Sequence, residues 1–291
     1  MAFLAIVLAL AGAVFLAFGA QRQGSAVRAH TGGLDLNTAG FLRLLRNPRW
    51  ILGLVLLGTG TALNVVALAL APLTVVQPIG AIALVITTIV NSRDQGIRIN
   101  RATIAAITAC VFGSALFVLL AVNVTQQNHS IAVGQELSVV LLLVLAVVVF
   151  GTLAVLGKRR LNAVAYILGA GVLFGFVAVL TKVIMTHLLD PNGRFLLNVP
   201  LYTAVAFLAA VGLGIWFVQS SYATGPPDLV IAGLTVIDPL VGIAVGITIL
   251  GELQPDVQTI AAVGMATAAL IAIVGVIALS RHHPDVVRRQ R

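Results

Sequence analysis

Charge is what this chain lacks. Only 9% of its 291 residues are Asp, Glu, Lys or Arg, while 60% are hydrophobic; a soluble domain has about 25% charged and about 45–50% apolar residues. Too few polar side chains remain to cover a water-exposed surface, which excludes an ordinary soluble fold. Cysteine is nearly absent as well. The single Cys110 sits inside an apolar run, which excludes a disulfide framework and a cysteine-based zinc site and reads as packing. Walker loops, nucleophile elbows, zinc-protease motifs and dinucleotide fingerprints are missing from the sequence. Their absence argues against an ATP-driven pump and a membrane hydrolase, so no catalytic residues are assigned.

What remains is a succession of long apolar segments. A bilayer core of roughly 30 Å needs about 20 apolar residues of helix. Nine segments satisfy this, at about 2–20, 50–71, 73–92, 102–123, 136–156, 161–186, 200–222, 228–251 and 257–280. The second and third are separated only by Ala71 and Pro72. The first twenty residues lack the basic start of a signal peptide and read as a retained helix.

The basic residues orient these spans. Arg22, Arg28, Arg43, Arg46 and Arg49 follow the first span, Arg93, Arg98 and Arg101 the third, Lys158, Arg159 and Arg160 the fifth, and Arg281, Arg288, Arg289 and Arg291 the ninth. They fall on alternate loops, hence on one face. The positive-inside rule places the N-terminus outside and the C-terminus in the cytoplasm of a multi-pass cell-membrane protein. The net charge of +8 is explained by these loops and does not indicate nucleic acid. The partners expected are the lipid bilayer and a small-molecule or ion substrate. A homo-oligomer is left open, and no cofactor is implied.

Two of the apolar segments resemble each other. Aligning 73–91 with 234–252 gives eight identities in nineteen positions, among them Thr74 with Thr235 and Pro78 with Pro239. An offset of 154, which matches Ala71-Pro72 with Gly225-Pro226, pairs the same helix face about two turns away. The two segments enter the membrane from opposite sides, as inverted-repeat transporters require. The expected architecture is an all-α polytopic membrane protein of about nine helices in a 4+1+4 arrangement. Its parts are a first four-helix repeat (1–123), a connector (124–160), an inverted second repeat (161–280) and a basic tail (281–291).

Proline removes a backbone N–H and frees the carbonyl four residues earlier, that of Thr74 or Thr235. Pro78 and Pro239 are therefore expected helix breaks whose freed groups face other helices or a cavity. Asp238 lies ten residues beyond Asp228 and fourteen before Glu252, near the midplane, where a carboxylate is costly and is paired, neutralised or facing water. With Gln77, Asn64 and Gln219 it forms a candidate polar pathway. Packing is the competing reading for each of them. Lys182 reads as a snorkelling lysine or an anion contact. Glu252, His129, Glu136, Asp190, His282 and His283 read as solvated, and Gly171-x-x-x-Gly175 and Gly242-x-x-x-Gly246 as close-packing positions.

Asn64-x7-Pro72-x5-Pro78-Ile79-Gly80-Ala81, followed by the basic loop, resembles the first half of the NIPA-like magnesium transporters, a branch of the drug/metabolite transporter superfamily. The segment 166–182 resembles the start of that family's second half. Asp238-Pro239 through Gly251-Glu252 is similar to the end of the superfamily's EamA repeat. The resemblance implies a transporter fold and magnesium as substrate, with Asp238 as the metal-contacting carboxylate. The sequence departs from the family after the third span, where Ile97 in RDQGIRIN stands in place of the expected glutamate. Read from the residues, the chain is a small-solute carrier working by alternating access. A magnesium transporter or channel, a flippase for a lipid-linked molecule and a non-transporting scaffold are the competing readings.

Overall fold

The computed structural model describes residues 2–31, 38–70, 82–94, 96, 99–125, 131–156, 161–188, 199–255 and 257–282. Ten helices occupy them: α1 (Ala2–Thr31), α2 (Thr38–Leu44), α3 (Pro48–Leu70), α4 (Ile82–Asp94), α5 (Arg101–Val124), α6 (Val133–Leu156), α7 (Ala163–Leu188), α8 (Leu201–Thr224), α9 (Pro227–Thr248) and α10 (Thr259–His282). Extended pairing among the described residues is confined to an isolated antiparallel bridge between Thr125 and Leu253. Eight helices, all except α2 and α4, are long and apolar enough to cross a membrane. The expected third span is represented by α4 from Ile82 onward, and its earlier part lies outside the described residues.

Polar residues start several helices. The Asn47 carboxamide oxygen accepts from the Arg49 and Trp50 amides at 2.9 and 3.4 Å, capping α3 beside Pro48. Asn100 caps α5 through the Thr103 amide at 2.7 Å, and its own amide donates to the His282 carbonyl at 3.1 Å, tying the start of α5 to the end of α10. Pro226 and Pro227 start α9 after α8 closes at Gly225.

Two expectations need correction here. The first span does not stop at residue 20, because α1 continues to Thr31. Hydropathy falls at Gln21, yet the helix persists since both Gln21 and Gln23 are buried against other helices. The second concerns Pro239. It lies inside α9, which is helical from Pro227 to Thr248, so the helix accommodates the proline without unwinding. The freed Thr235 carbonyl is satisfied by Ser114 of α5, whose hydroxyl donates to it at 2.8 Å. Thr235 itself spends its hydroxyl on the Ile231 carbonyl.

In lipid, helices associate through close packing, and small residues permit it. A Cβ added at Gly19 of α1 would lie 2.8 Å from the Leu57 amide nitrogen of α3. A Cβ at Gly175 of α7 would lie 2.7 Å from the Val241 Cβ and 3.0 Å from the Asp238 carbonyl oxygen of α9. The 171/175 pair therefore makes the close approach expected of it, and Cys110 is buried packing between α5 and α10.

These contacts give the bundle its order. α1 packs on α3 and α4, α7 packs on α8 and α9, and α5 packs on α10. α9 is central, touching α1, α4, α5, α7, α8 and α10. α6 lies against α7 and α8 at the periphery, with Leu141, Leu145 and Val148 exposed on its outer side.

Candidate translocation site

The bundle's two ends are built differently. At one end α1, α3 and α8 each bring a polar side chain inward. Trp50 Nε1 donates to Gln219 Oε1 at 2.8 Å, and Gln219 Nε2 donates to Gln23 Oε1 at 2.9 Å. All three residues are at most 5% exposed. Beside them Asn91 of α4 donates to Asp228 of α9 at 3.2 Å, and the Asp228 side chain is fully buried. Asp228 stands in the first turn of α9, where the helix dipole favours a carboxylate.

A cavity of about 560 Å³ opens above the Gln23–Gln219–Trp50 chain. α1, α2, α3, α8 and α9 form its walls, with Ala83 of α4 and Phe174 of α7 completing them. The walls are mostly aliphatic, and Gln23, Trp50, Gln219, Tyr222, Thr61 and Thr235 supply the polar atoms. Among the described residues that line it, none is charged.

The opposite end is tied together. Lys182 Nζ of α7 and Glu252 Oε1 are 2.5 Å apart. Glu252 reaches this position because Gly251 adopts a left-handed φ of +69°, which turns the chain back after α9 and sets the carboxylate over Gly246. A Cβ at Gly246 would sit 2.7 Å from Glu252 Oε2. Glu136 of α6 is buried, accepts from the Thr203 hydroxyl of α8 and lies 3.1 Å from His187 Nε2 of α7. Gln135 donates to the Ile249 carbonyl at 3.0 Å, and the Gln254 amide donates to the Val124 carbonyl at 3.0 Å.

Set against the expected site, the structure brings Gln219 and Thr235 to the cavity wall. Asn64 is half-buried on α3 and does not line the cavity, and its buried Oδ1 lacks a hydrogen-bond partner among the described residues. Asp238 is half-buried, with its backbone against Gly171 and Gly175, and it too is outside the lining. Gln77, Thr74 and Pro78, like His129, Asp190 and His283, lie outside the described residues. Lys182 is neither a lone snorkelling cation nor a free anion contact, since its anion is Glu252 of the same chain. Glu136 is not solvated, because three helices converge on it.

Gln23, Trp50, Asn91 and Asp228 were not anticipated. Gln23 lies just beyond the apolar run 2–20, and Asp228 stands at a span boundary, where a carboxylate is ordinarily solvated. A buried role for Asp228 was foreshadowed only by its place after Gly225-Pro226-Pro227, a tight turn that leaves the first turn of α9 beneath its neighbours.

Comparison with known proteins agrees with this architecture. An uncharacterized protein of Corynebacterium glutamicum is 30% identical over 283 residues, covering 96% of this chain and 95% of that protein. No solved structure matches the chain. The family described as magnesium transporter NIPA matches residues 2–188, more than half of the chain, with its span from α1 to the end of α7. The chain belongs to the NIPA magnesium transporter family, and the eight apolar membrane-length helices among its described residues are those of a multi-pass membrane transporter.

Proposed function

We propose that this transporter moves a small solute by alternating access around the cavity between α1, α3, α8 and α9. One observation carries the reading: the 560 Å³ cavity lies toward the Trp50 end, while the other end is held by the Lys182–Glu252 pair and the Glu136 cluster. A carrier caught with one entrance closed has this asymmetry. By the positive-inside argument the closed end is external and the cavity faces the cytoplasm of a cell-membrane protein.

The same reading takes 1–123 and 161–280 as inverted four-helix repeats joined by the connector 124–160, with 281–291 as a cytoplasmic tail. In its support, α1 packs on α3 and α4 as α7 packs on α8 and α9. Asp238 stands three residues beyond Thr235, about one helical turn past the cavity wall, and is proposed to serve the path through the bundle. Gln77, Asn64 and Thr74 belong to the same proposed path on the first-repeat side.

The family favours magnesium as a second reading. Magnesium takes six oxygen ligands, often retaining waters and using one or two carboxylates. Of the acidic side chains described, Glu136, Asp228 and Glu252 have hydrogen-bond or ionic partners in the chain, so Asp238 is the carboxylate this reading rests on.

Reconstituted proteoliposomes given a cytosolic extract with added MgCl2 test both readings, with mass spectrometry for organic solutes and an entrapped magnesium indicator. Protein-dependent entry of one species supports a transporter and names its substrate. Entry no faster than into empty liposomes for every species contradicts it.

A further inference from the structure

The hydrogen-bond chain beneath the cavity has a direction fixed by chemistry. An indole N–H only donates, so Gln219 must turn its carboxamide oxygen toward Trp50 Nε1 at 2.8 Å. Its NH2 then points at Gln23, which must answer with its oxygen at 2.9 Å. Reversing either amide would set two donors or two acceptors against each other. Trp50 therefore dictates the orientation of both glutamines, and the chain ends on the Gln23 NH2 group, which has no hydrogen-bond acceptor among the described residues.

Gln23 lines the cavity, as does Tyr222, whose hydroxyl likewise lacks a hydrogen-bond partner there. The polar floor thus offers donors. None of the described residues lining the cavity is charged, the Arg28 cation acts on the Tyr222 hydroxyl from outside the lining, and the walls above the floor, at Leu16, Leu54, Leu57 and Leu234, are aliphatic. Burying an ion in such surroundings is costly without a counter-charge, whereas an uncharged group accepting from the amide recovers its hydrogen bond. Pockets of about 300–1,000 Å³ with apolar walls and a few placed polar groups are the usual form of sites for organic ligands.

We infer that the cavity binds an uncharged organic molecule with a hydrogen-bond acceptor head, such as a carbonyl, seated on Gln23 and Tyr222, and an apolar body along the leucine walls. The inference rests on the transporter reading only for its consequence, transport of that molecule; binding stands by itself. The same chemistry belongs to a free solute or to a neutral lipid such as diacylglycerol.

Trp50 reports on the site once Trp216, which lies outside the cavity lining, is changed to phenylalanine. In phospholipid nanodiscs, with empty discs as background, Trp50 fluorescence is titrated with methyl nonyl ketone, with undecane of equal carbon count and with MgCl2. The ketone is expected to bind saturably and about fivefold tighter than undecane, the worth of one neutral hydrogen bond. Gln23→Leu is expected to abolish that preference while leaving undecane binding in place. Leu54→Phe, which narrows the cavity without touching the polar floor, should weaken both. Competition by diacylglycerol in the disc assigns a lipid source, and ketone binding untouched by it assigns a free solute. Equal affinity for ketone and alkane overturns the inference. So does a saturable response to Mg2+ without one to the ketone, which would leave the transporter reading intact. Conversely, ketone binding with no flux of any solute in the proteoliposomes overturns the transporter reading and leaves the binding site.

Discussion

Ser114 of α5 donates its hydroxyl to the Thr235 carbonyl of α9 at 2.8 Å, and Thr235 is the residue whose helical partner Pro239 has removed. A proline four residues downstream leaves that oxygen without its usual N–H, and lipid supplies none. The serine that supplies one comes from the other half of the chain. This contact lets α9 carry its proline at the centre of the bundle as a continuous helix.

Ser114→Ala is expected to lower stability by about 1–3 kcal/mol, the cost of an orphaned buried acceptor. In a Pro239→Ala background the restored N–H takes over the carbonyl, so the serine change should cost much less. Thermal unfolding in detergent of the two single variants and the double variant measures the coupling. Additive losses would show that the serine does not serve the proline.

Glu136 is expected to matter more than an acid in the first turn of a membrane-length helix normally would. Glu136→Ala strands the Thr203 hydroxyl and removes the His187 contact in a buried place, a loss of about 2 kcal/mol or more. Glu136→Gln keeps an acceptor for Thr203 and should recover at least half of it. Hydrogen exchange at the α6, α7 and α8 ends reads where the loosening occurs, and unchanged protection there would contradict the assignment.

Gly175 holds α9 against α7 at the level of Asp238. Gly175→Val would press into Val241 and the Asp238 carbonyl, with an overpacking cost of about 1–3 kcal/mol. Asp238→Asn, by contrast, is expected to leave folded yield and unfolding temperature nearly unchanged while reducing solute entry in proteoliposomes. Entry at the unaltered rate would remove Asp238 from the path.

Much of the fold was legible because hydropathy reports it locally: the long apolar runs of α5, α6, α7, α8 and α10 need no knowledge of partners. The end of α1 was not, because Gln21 and Gln23 look like the start of a loop until other helices cover them. The site was legible only in part. Gln219 and Thr235 stood out as polar groups within apolar spans and do line the cavity. Gln23 meets Gln219 across 196 positions, and Lys182 meets Glu252 across 70. No periodicity within one segment encodes such pairings, so from the sequence Lys182 reads as a snorkelling lysine or an anion contact, and Glu252 and Glu136 as solvated groups. Pro239 deprives the Thr235 carbonyl of its helical N–H, and the group that satisfies it, Ser114, lies 121 residues from Thr235 and leaves no local trace.

The central claim is that the end closed by Lys182 and Glu252 opens and closes. Spin labels at Met185→Cys and Leu253→Cys, both exposed and flanking that pair, in a Cys110→Ala background in nanodiscs, report it by double electron–electron resonance. Two distance populations are predicted, the longer one growing when Glu252→Gln breaks the ion pair. A single distance, unchanged by Glu252→Gln, would contradict alternating access.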